Sequence, residues 1–157
     1  MSAPQTYVIF LIAGDAYALN TSAIHHLEMF EHVTPVPNTA PAVEGVVFSR
    51  GQVVPAINVR TRFGLPREPH TMRTRLIFIH AKQRVVALIV DAAREFRMIN
   101  PEAIRPIGDT LMGIRGNYVV GVTNVGDRNI LILDLDALLT LEEVTPPQHL
   151  QAPASAT

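Results

Sequence analysis

The sequence predicts a mainly β protein made of two small, repeated β-barrels of about five strands each, with short helices and a C-terminal helix. Three observations carry that expectation. Apolar runs of strand length, rich in Val, Ile, Phe and Tyr, recur along the chain. Turn residues separate neighbouring runs at hairpin spacing. The order of elements in the first half returns in the second.

The first run, Tyr7 to Ile12, is joined across Gly14-Asp15 to Ala16–Leu19, a hairpin pattern. Asn20-Thr21-Ser22 offers a cap for a short helix with Ile24, Leu27 and Phe30 on one face. Val43 to Phe48 and Val53 to Val59 flank Ser49-Arg50-Gly51 as a second hairpin. Pro55 cannot donate to a ladder, so its strand is expected at an edge or at a bulge. Leu76 to Ile79 and Val85 to Val90 make a third hairpin around Lys82-Gln83. Asp91 offers a cap for a brief turn from Ala92 to Phe96. Asn100-Pro101-Glu102 is a helix start, because the missing proline N–H costs nothing in a first turn. Tyr118 to Val122 and Ile130 to Leu135 flank Gly126-Asp127 as a fourth hairpin. Asp136 to Glu143 then reads as the C-terminal helix. Residues 145–157 carry no charge and little bulk, and read as a frayed tail beyond a single domain spanning 1–144.

The repeat is specific in its positions. With a shift of 76, Val43, Gly45 and Val46 fall on Val119, Gly121 and Val122. The same shift places Val54, Ile57, Val59 and Phe63 on Ile130, Leu133, Leu135 and Leu139, and Asn58 on Asp134. With a shift of 69, Ile9-Phe10 meets Phe78-Ile79, and Ala18-Leu19 meets Ala87-Leu88. The second half therefore holds about seven extra residues before Gly121.

Composition narrows the function. The 157 residues suit one domain, or two small ones sharing a core. Thirteen basic against 14 acidic residues give a formal charge of −1, so no global field steers the chain to nucleic acid or anionic lipid. The absence of cysteine excludes disulfides, thiolate metal sites and a cysteine nucleophile. No basic stretch precedes the first apolar run, and no run approaches the roughly 20 residues of a membrane helix. A soluble cytoplasmic protein is expected.

Catalytic and metal patterns are missing. His25 and His26 are adjacent, so on a helix they would point about 100° apart. His32, His70, His80 and His149 are scattered, and solvated imidazoles are expected. Asp134 and Asp136 share a strand face, but a repeat position and a helix cap explain them. Neither a nucleophile elbow nor a phosphate loop occurs. We expect no cofactor, no metal and no catalytic residue. One alternative concerns Arg60–Arg75, which holds five arginines and one acid, Glu68. A basic arm of this kind can grip nucleic-acid phosphates, although Phe63 is its only aromatic; otherwise it is a solvated linker.

The run from Val43 to Arg60, VEGVVFSRGQVVPAINVR, resembles the signature of the CheW-like domain family, roughly v-x-G-v-x-n-x-R-G-x-v-v-P-v-i-d-l-R. Phe10 with Tyr17-Ala18-Leu19 resembles the family's first hairpin, and Val33-Thr34-Pro35-Val36-Pro37 its v-t-x-v-P segment. Val85 to Asp91 and the hairpin of Val120-Gly121-Val122 with Ile130 to Leu135 are similar to later family elements.

This resemblance implies two intertwined, five-stranded SH3-like barrels. It also implies a stand-alone, non-enzymatic adaptor that joins the cytoplasmic tips of methyl-accepting chemoreceptors to the regulatory domain of a CheA-type histidine kinase. Chemotaxis or a related pathway such as pilus motility would be served at membrane-bound receptor arrays. Carried over by position, Ile24, His26, Arg50 and Gly51 would form the receptor groove. Val36, Pro37, Asn38, Val43 and Gly45 would meet the kinase. Two positions depart from the family pattern: His26 stands where Glu is usual, and Asn58 where Asp is usual. With Arg50 expected beside His26, partner affinity is expected to fall between about pH 8 and about pH 6 as the imidazole charges.

Overall fold

The computed structural model describes residues 3–81, 83–107 and 113–139. Each long apolar run becomes a strand, and Ala13-Gly14, Arg50-Gly51 and Gly126-Asp127 are tight turns. The first hairpin is β1 (Gln5–Ile12) and β2 (Asp15–Asn20), followed by β3 (Ile24–Met29). The second is β4 (Val43–Ser49) and β5 (Gln52–Asn58), capped by the single-turn helix α1 (Val59–Arg62). The third, β6 (Arg75–Ala81) and β7 (Arg84–Val90), runs on into β8 (Ala92–Ile99). The fourth, β9 (Val119–Val125) and β10 (Arg128–Leu133), is followed by α2 (Leu135–Leu138).

The strands form two five-stranded sheets in the orders β8-β1-β2-β10-β9 and β3-β6-β7-β5-β4. These are the two barrels, and the halves of the chain are interlocked between them. The N-terminal hairpin joins the three last strands through a parallel β2–β10 pairing, Ala16 to Ile130. The β6–β7 hairpin joins the earlier strands through a parallel β5–β7 pairing, Ala56 to Ala87. Exchange of β1 with β6, β2 with β7, β3 with β8, β4 with β9 and β5 with β10 maps one sheet order onto the other, as the repeat requires.

Strand alternation builds three layers of core. On β1, Val8, Phe10 and Ile12 face the core shared by both barrels, while Tyr7 and Ile9 face the interior of their own barrel. On β6, Ile77 and Ile79 share the common core, while Leu76 and Phe78 fill the other barrel. Strands buried on both faces explain why these runs are unbroken rather than alternating.

The repeated glycines have one cause. A Cβ on Gly45 would lie 2.1 Å from the carbonyl oxygen of Thr34, and one on Gly121 2.6 Å from that of Arg105. At both places an incoming segment bridges the strand by two backbone hydrogen bonds, Thr34 with Val46 and Arg105 with Val122. The offset is 71 between the bridging residues and 76 between the glycines. Five of the extra residues in the second half therefore fall between Arg105 and Gly121.

Four local expectations need correction. The segment after Asn20 is not a helix: Asn20 caps a 3-10 turn over Thr21–Ala23, and Ile24–Met29 is an edge strand. Asp91 caps no turn, because Ala92–Ile99 is the edge strand of the other sheet. Pro55 lies in an interior strand, and the bulge in its pairing with β4 falls between Val43 and Gly45, opposite Ile57 and Ala56, rather than at Pro55 itself. Its partner Val46 turns both backbone groups to Thr34, so Pro55 sits opposite a residue that bonds the other way, and the ladder to β7 starts only at Ala56. The C-terminal helix starts from an Asp134 cap and covers Leu135–Leu138, so Asp134 and not Asp136 does the capping. Residues 140–143 and the tail 145–157 lie outside the described residues.

Candidate functional site

The β4–β5 turn, Arg50-Gly51, has positive φ at both central residues, 52° and 77°. This twist joins two strands across a two-residue loop. Glycine takes it without cost; arginine is held there against about 1 kcal/mol of backbone strain. Arg50 is exposed and makes no hydrogen bond or ion pair to another described residue.

The neighbouring strand β3 supplies the acid that position 26 lacks. On a strand, residues 26 and 28 share a face. His26 Nε2 lies 2.7 Å from Glu28 Oε2, and the Ser49 hydroxyl donates to the same oxygen at 2.7 Å. Burial works to raise the Glu28 carboxyl. The hydrogen bonds from Ser49 and His26, with the charges of His26 and Arg50, outweigh it and hold the group below the ordinary glutamate value. Glu28 thus ties β3 to the end of β4, beside the Arg50 turn. His26 lies flat on Phe78, with ring centroids 4.3 Å apart. Ile24 is partly buried against the shared core, so this corner reaches the seam between the barrels.

The second barrel carries a related latch. His26 is paired with Phe78 on β6, and Glu95 with Ile9 on β1, so the two positions correspond. Glu95 accepts from Arg97 at 2.7 Å and from Arg128, at the foot of the β9–β10 turn, at 3.3 Å. Hydrogen bonding from Arg97 is the main reason its carboxyl lies below the ordinary value.

The residues assigned to the kinase are mostly interior. Val36 and Val43 are buried, and Gly45 is covered by Thr34. Pro37 and Asn38 are exposed, with Asn38 at a φ of 64°. Between Val43 and Gly45 stands Glu44, which organises the long loop after α1. It accepts from the Asn58 amide at 2.9 Å and lies 2.7 Å from His70 Nε2. Asn58, which is buried, also caps α1 by accepting from Thr61 N–H. An aspartate could make the cap but would oppose Glu44, so Glu44 is the reason for the amide here.

The arginine-rich stretch is not a free arm. Arg60 grips Asp91 through three hydrogen bonds of 2.7 to 3.1 Å. Arg67 donates to Pro41 O, and Arg75 to Met72 O. Arg60 lies at the join of the two halves, because Asp91 also accepts from Ala13 N–H in the β1–β2 turn at 2.8 Å. Burial favours a neutral Asp91; the bonds from Arg60 and Ala13, with the Arg60 and His70 charges, prevail and leave its carboxyl below the ordinary value. The nucleic-acid reading is therefore not supported.

Comparison with known proteins decides the family. The CheW-like domain model matches residues 6–143. The chain belongs to the CheW-like domain family. It is 27% identical over 140 residues to a chemotaxis protein CheW of Klebsiella aerogenes, covering 89% of this chain and 84% of that one. It is also 27% identical to a chemotaxis protein CheW of Bacillus subtilis, covering 88% of each. The crystal structure of a CheW scaffolding protein from Thermoanaerobacter tengcongensis superposes with a TM-score of 0.81 at 27% identity, covering 89% of this chain and 95% of that chain. The two interlocked SH3-like barrels are thus the CheW-like fold.

In this chain the acid on that face of β3 is Glu28, which bonds His26 and Ser49 rather than Arg50. Sequence reasoning sets Glu28 aside as a substitute for the acid at position 26, because on a helix it would sit at a different angle; on the strand the two positions share a face. It missed Glu44, and the exposed apolar side chains Met29, Phe48, Phe96 and Met98. Phe96 and Met98, two apart on an edge strand, follow a period-two pattern that could have found them. The histidines are not all isolated: His25, His26 and His80 form a ring cluster, and His70 pairs with Glu44. No group of three potential ligands among the described residues is placed to hold a metal ion.

Proposed function

We propose that this protein is a coupling adaptor of chemotactic signalling, working by contact rather than by catalysis. It would join chemoreceptor tips to a CheA-type histidine kinase at receptor arrays. No helix among the described residues is long and apolar enough to cross a membrane, so association with an array would run through these partners. The observation that carries the reading is Arg50: an exposed guanidinium with five donors unused among the described residues, raised on a strained two-residue turn beside the Ser49–Glu28 bond. Ile24 and Gly51 beside it, with His26 and Glu28 fixing β3, complete a receptor-facing corner. Exposed Pro37 and Asn38 would meet the kinase, while Val36, Val43 and Gly45 support that edge from within.

The test is Arg50→Glu. In calorimetry with a purified receptor cytoplasmic fragment, affinity should fall about tenfold or more, because removing a charge-assisted contact and reversing its sign costs roughly 1.5–3 kcal/mol. Melting should stay within a few degrees of the native protein. A variant that melts far lower, while its folded fraction binds normally, would show Arg50 to be structural.

A further inference from the structure

The receptor-facing corner holds a cluster that the adaptor reading leaves unused. His25 and His26 on β3 oppose their Nδ1 atoms at 2.6 Å. The His25 ring stands edge-on to His80 of β6, with centroids 4.9 Å apart. The partners dictate where the protons sit. Glu28 Oε2 can only accept, and takes both the Ser49 hydroxyl and His26 Nε2, so His26 carries its proton on Nε2. A neutral His26 then accepts at Nδ1, and His25 donates from its own Nδ1. One further proton leaves the pair sharing a single hydrogen between these nitrogens. A second would set two N–H groups against each other.

Among the described residues, the charged and titratable groups acting on the cluster are Glu28 on β3, Arg50 on the β4–β5 turn and His80 on β6. Glu28 is the one acid among them, and its Oε2 is already engaged. His25, His80 and Arg50 are exposed and offer cation-forming groups with no carboxylate of their own. Partial desolvation of the exposed ring, followed by the charges of His26, His80 and Arg50, holds the His25 imidazole below its ordinary value in the free protein. An arriving carboxylate would reverse that balance.

We propose that Arg50, His25 and His80 form a seat for carboxylates on an acidic protein partner, and that docking there takes up a proton. This rests on the adaptor reading and specifies the chemistry of its receptor-facing corner. Charge complementarity selects the occupant: the corner gains positive charge on protonation, and among the described residues its one acid, Glu28, is already bonded to His26 and Ser49. The sign follows from linkage. A group whose pKa is higher in the complex than in the free protein strengthens binding as pH falls. This is opposite to the trend expected when His26 was set beside Arg50 without Glu28.

The experiment is calorimetry with a receptor cytoplasmic fragment at about pH 6 and about pH 8, and at neutral pH in buffers of different ionisation enthalpy. Binding should be about fivefold or more tighter at the lower pH, with net proton uptake per complex. In a His25→Gln/His80→Gln variant the ratio of the two affinities should fall close to one. Equal affinity at both pH values, proton release, or a gain that survives in the double variant would overturn the proposal and leave the adaptor reading standing. Absence of binding at either pH would overturn both.

Discussion

Replacing Gly45 by alanine tests whether this glycine serves the fold or a partner. The added Cβ would stand 2.1 Å from Thr34 O, 2.7 Å from Thr34 C and 2.9 Å from Val33 Cγ1. Ordinary carbon–oxygen contact is more than 3 Å, so the segment must retreat by about 1 Å. Two backbone hydrogen bonds stand in the way, Thr34 N–H to Val46 O at 2.8 Å and Val46 N–H to Thr34 O at 2.9 Å. Loosening both costs about 1 kcal/mol each, and crowding in a packed interior adds at least as much. We expect a loss of roughly 3 kcal/mol, which for a chain of this size lowers the melting temperature by roughly 6–12 °C. Gly121→Ala should behave alike, since its Cβ would meet Arg105 O at 2.6 Å and Ile104 Cγ2 at 2.7 Å. Gly51→Ala is the control: its Cβ meets nothing within 4 Å, and only the φ of 77° opposes it. That should cost about 1 kcal/mol, or roughly 2–4 °C. Scanning calorimetry of the three variants gives the ranking. If Gly45→Ala melts no lower than Gly51→Ala, the steric account is wrong. Loss of kinase binding at native stability would then make Gly45 a surface residue.

Two further substitutions probe the polar joints. Asn58→Asp keeps the cap on α1 but sets a buried carboxylate against Glu44, where the amide now donates at 2.9 Å. It should destabilise by roughly 1–3 kcal/mol at neutral pH. Part of that should return near pH 5, because a crowded carboxyl titrates high and the folded state then gains protons as pH falls; a pH-independent loss in chemical denaturation would contradict this. Asp91→Asn removes the charge from the Arg60 grip. The native carboxyl lies below its ordinary value, so its stabilisation is present at neutral pH and fades only on acidification below about pH 4. The variant should be less stable at pH 7 and flatter on that acid limb, read from melting temperature against pH.

The legible parts of the sequence were those dictated by local physics. Each of the eight apolar runs marks a strand, since both faces of β1, β6 and β7 must be covered. The two strands that were missed, β3 and β8, are sheet edges. Their sequences, IHHLEM and AAREFRMI, mix charge with bulk and read equally as a helical turn. Neighbouring strands make them extended, through pairing with β6 and β1. Glu28 was set aside for the same reason. Two positions along a helix diverge by about 200°, whereas two positions along a strand coincide. The family signature located Arg50 and Gly51, but nothing in their spacing showed that Val36, Val43 and Gly45 would be covered.

By itself the sequence determined the hairpins, the repeat and the glycines at 45 and 121. The hairpins follow from two-residue turns and from alternation within one strand; the two glycines showed only as repeated positions, and their cause, the approach of Thr34 and Arg105, is tertiary. Tertiary structure alone decided that the N-terminal hairpin would complete the barrel of the last strands, with Ala16 beside Ile130, and that β6 and β7 would complete the other. A hairpin closes on itself whichever barrel it joins. The choice between barrels is made only when Val8, Phe10 and Ile12 from one sheet and Ile77, Ile79 and Leu88 from the other are buried together, and that shared core has no local signature in the chain.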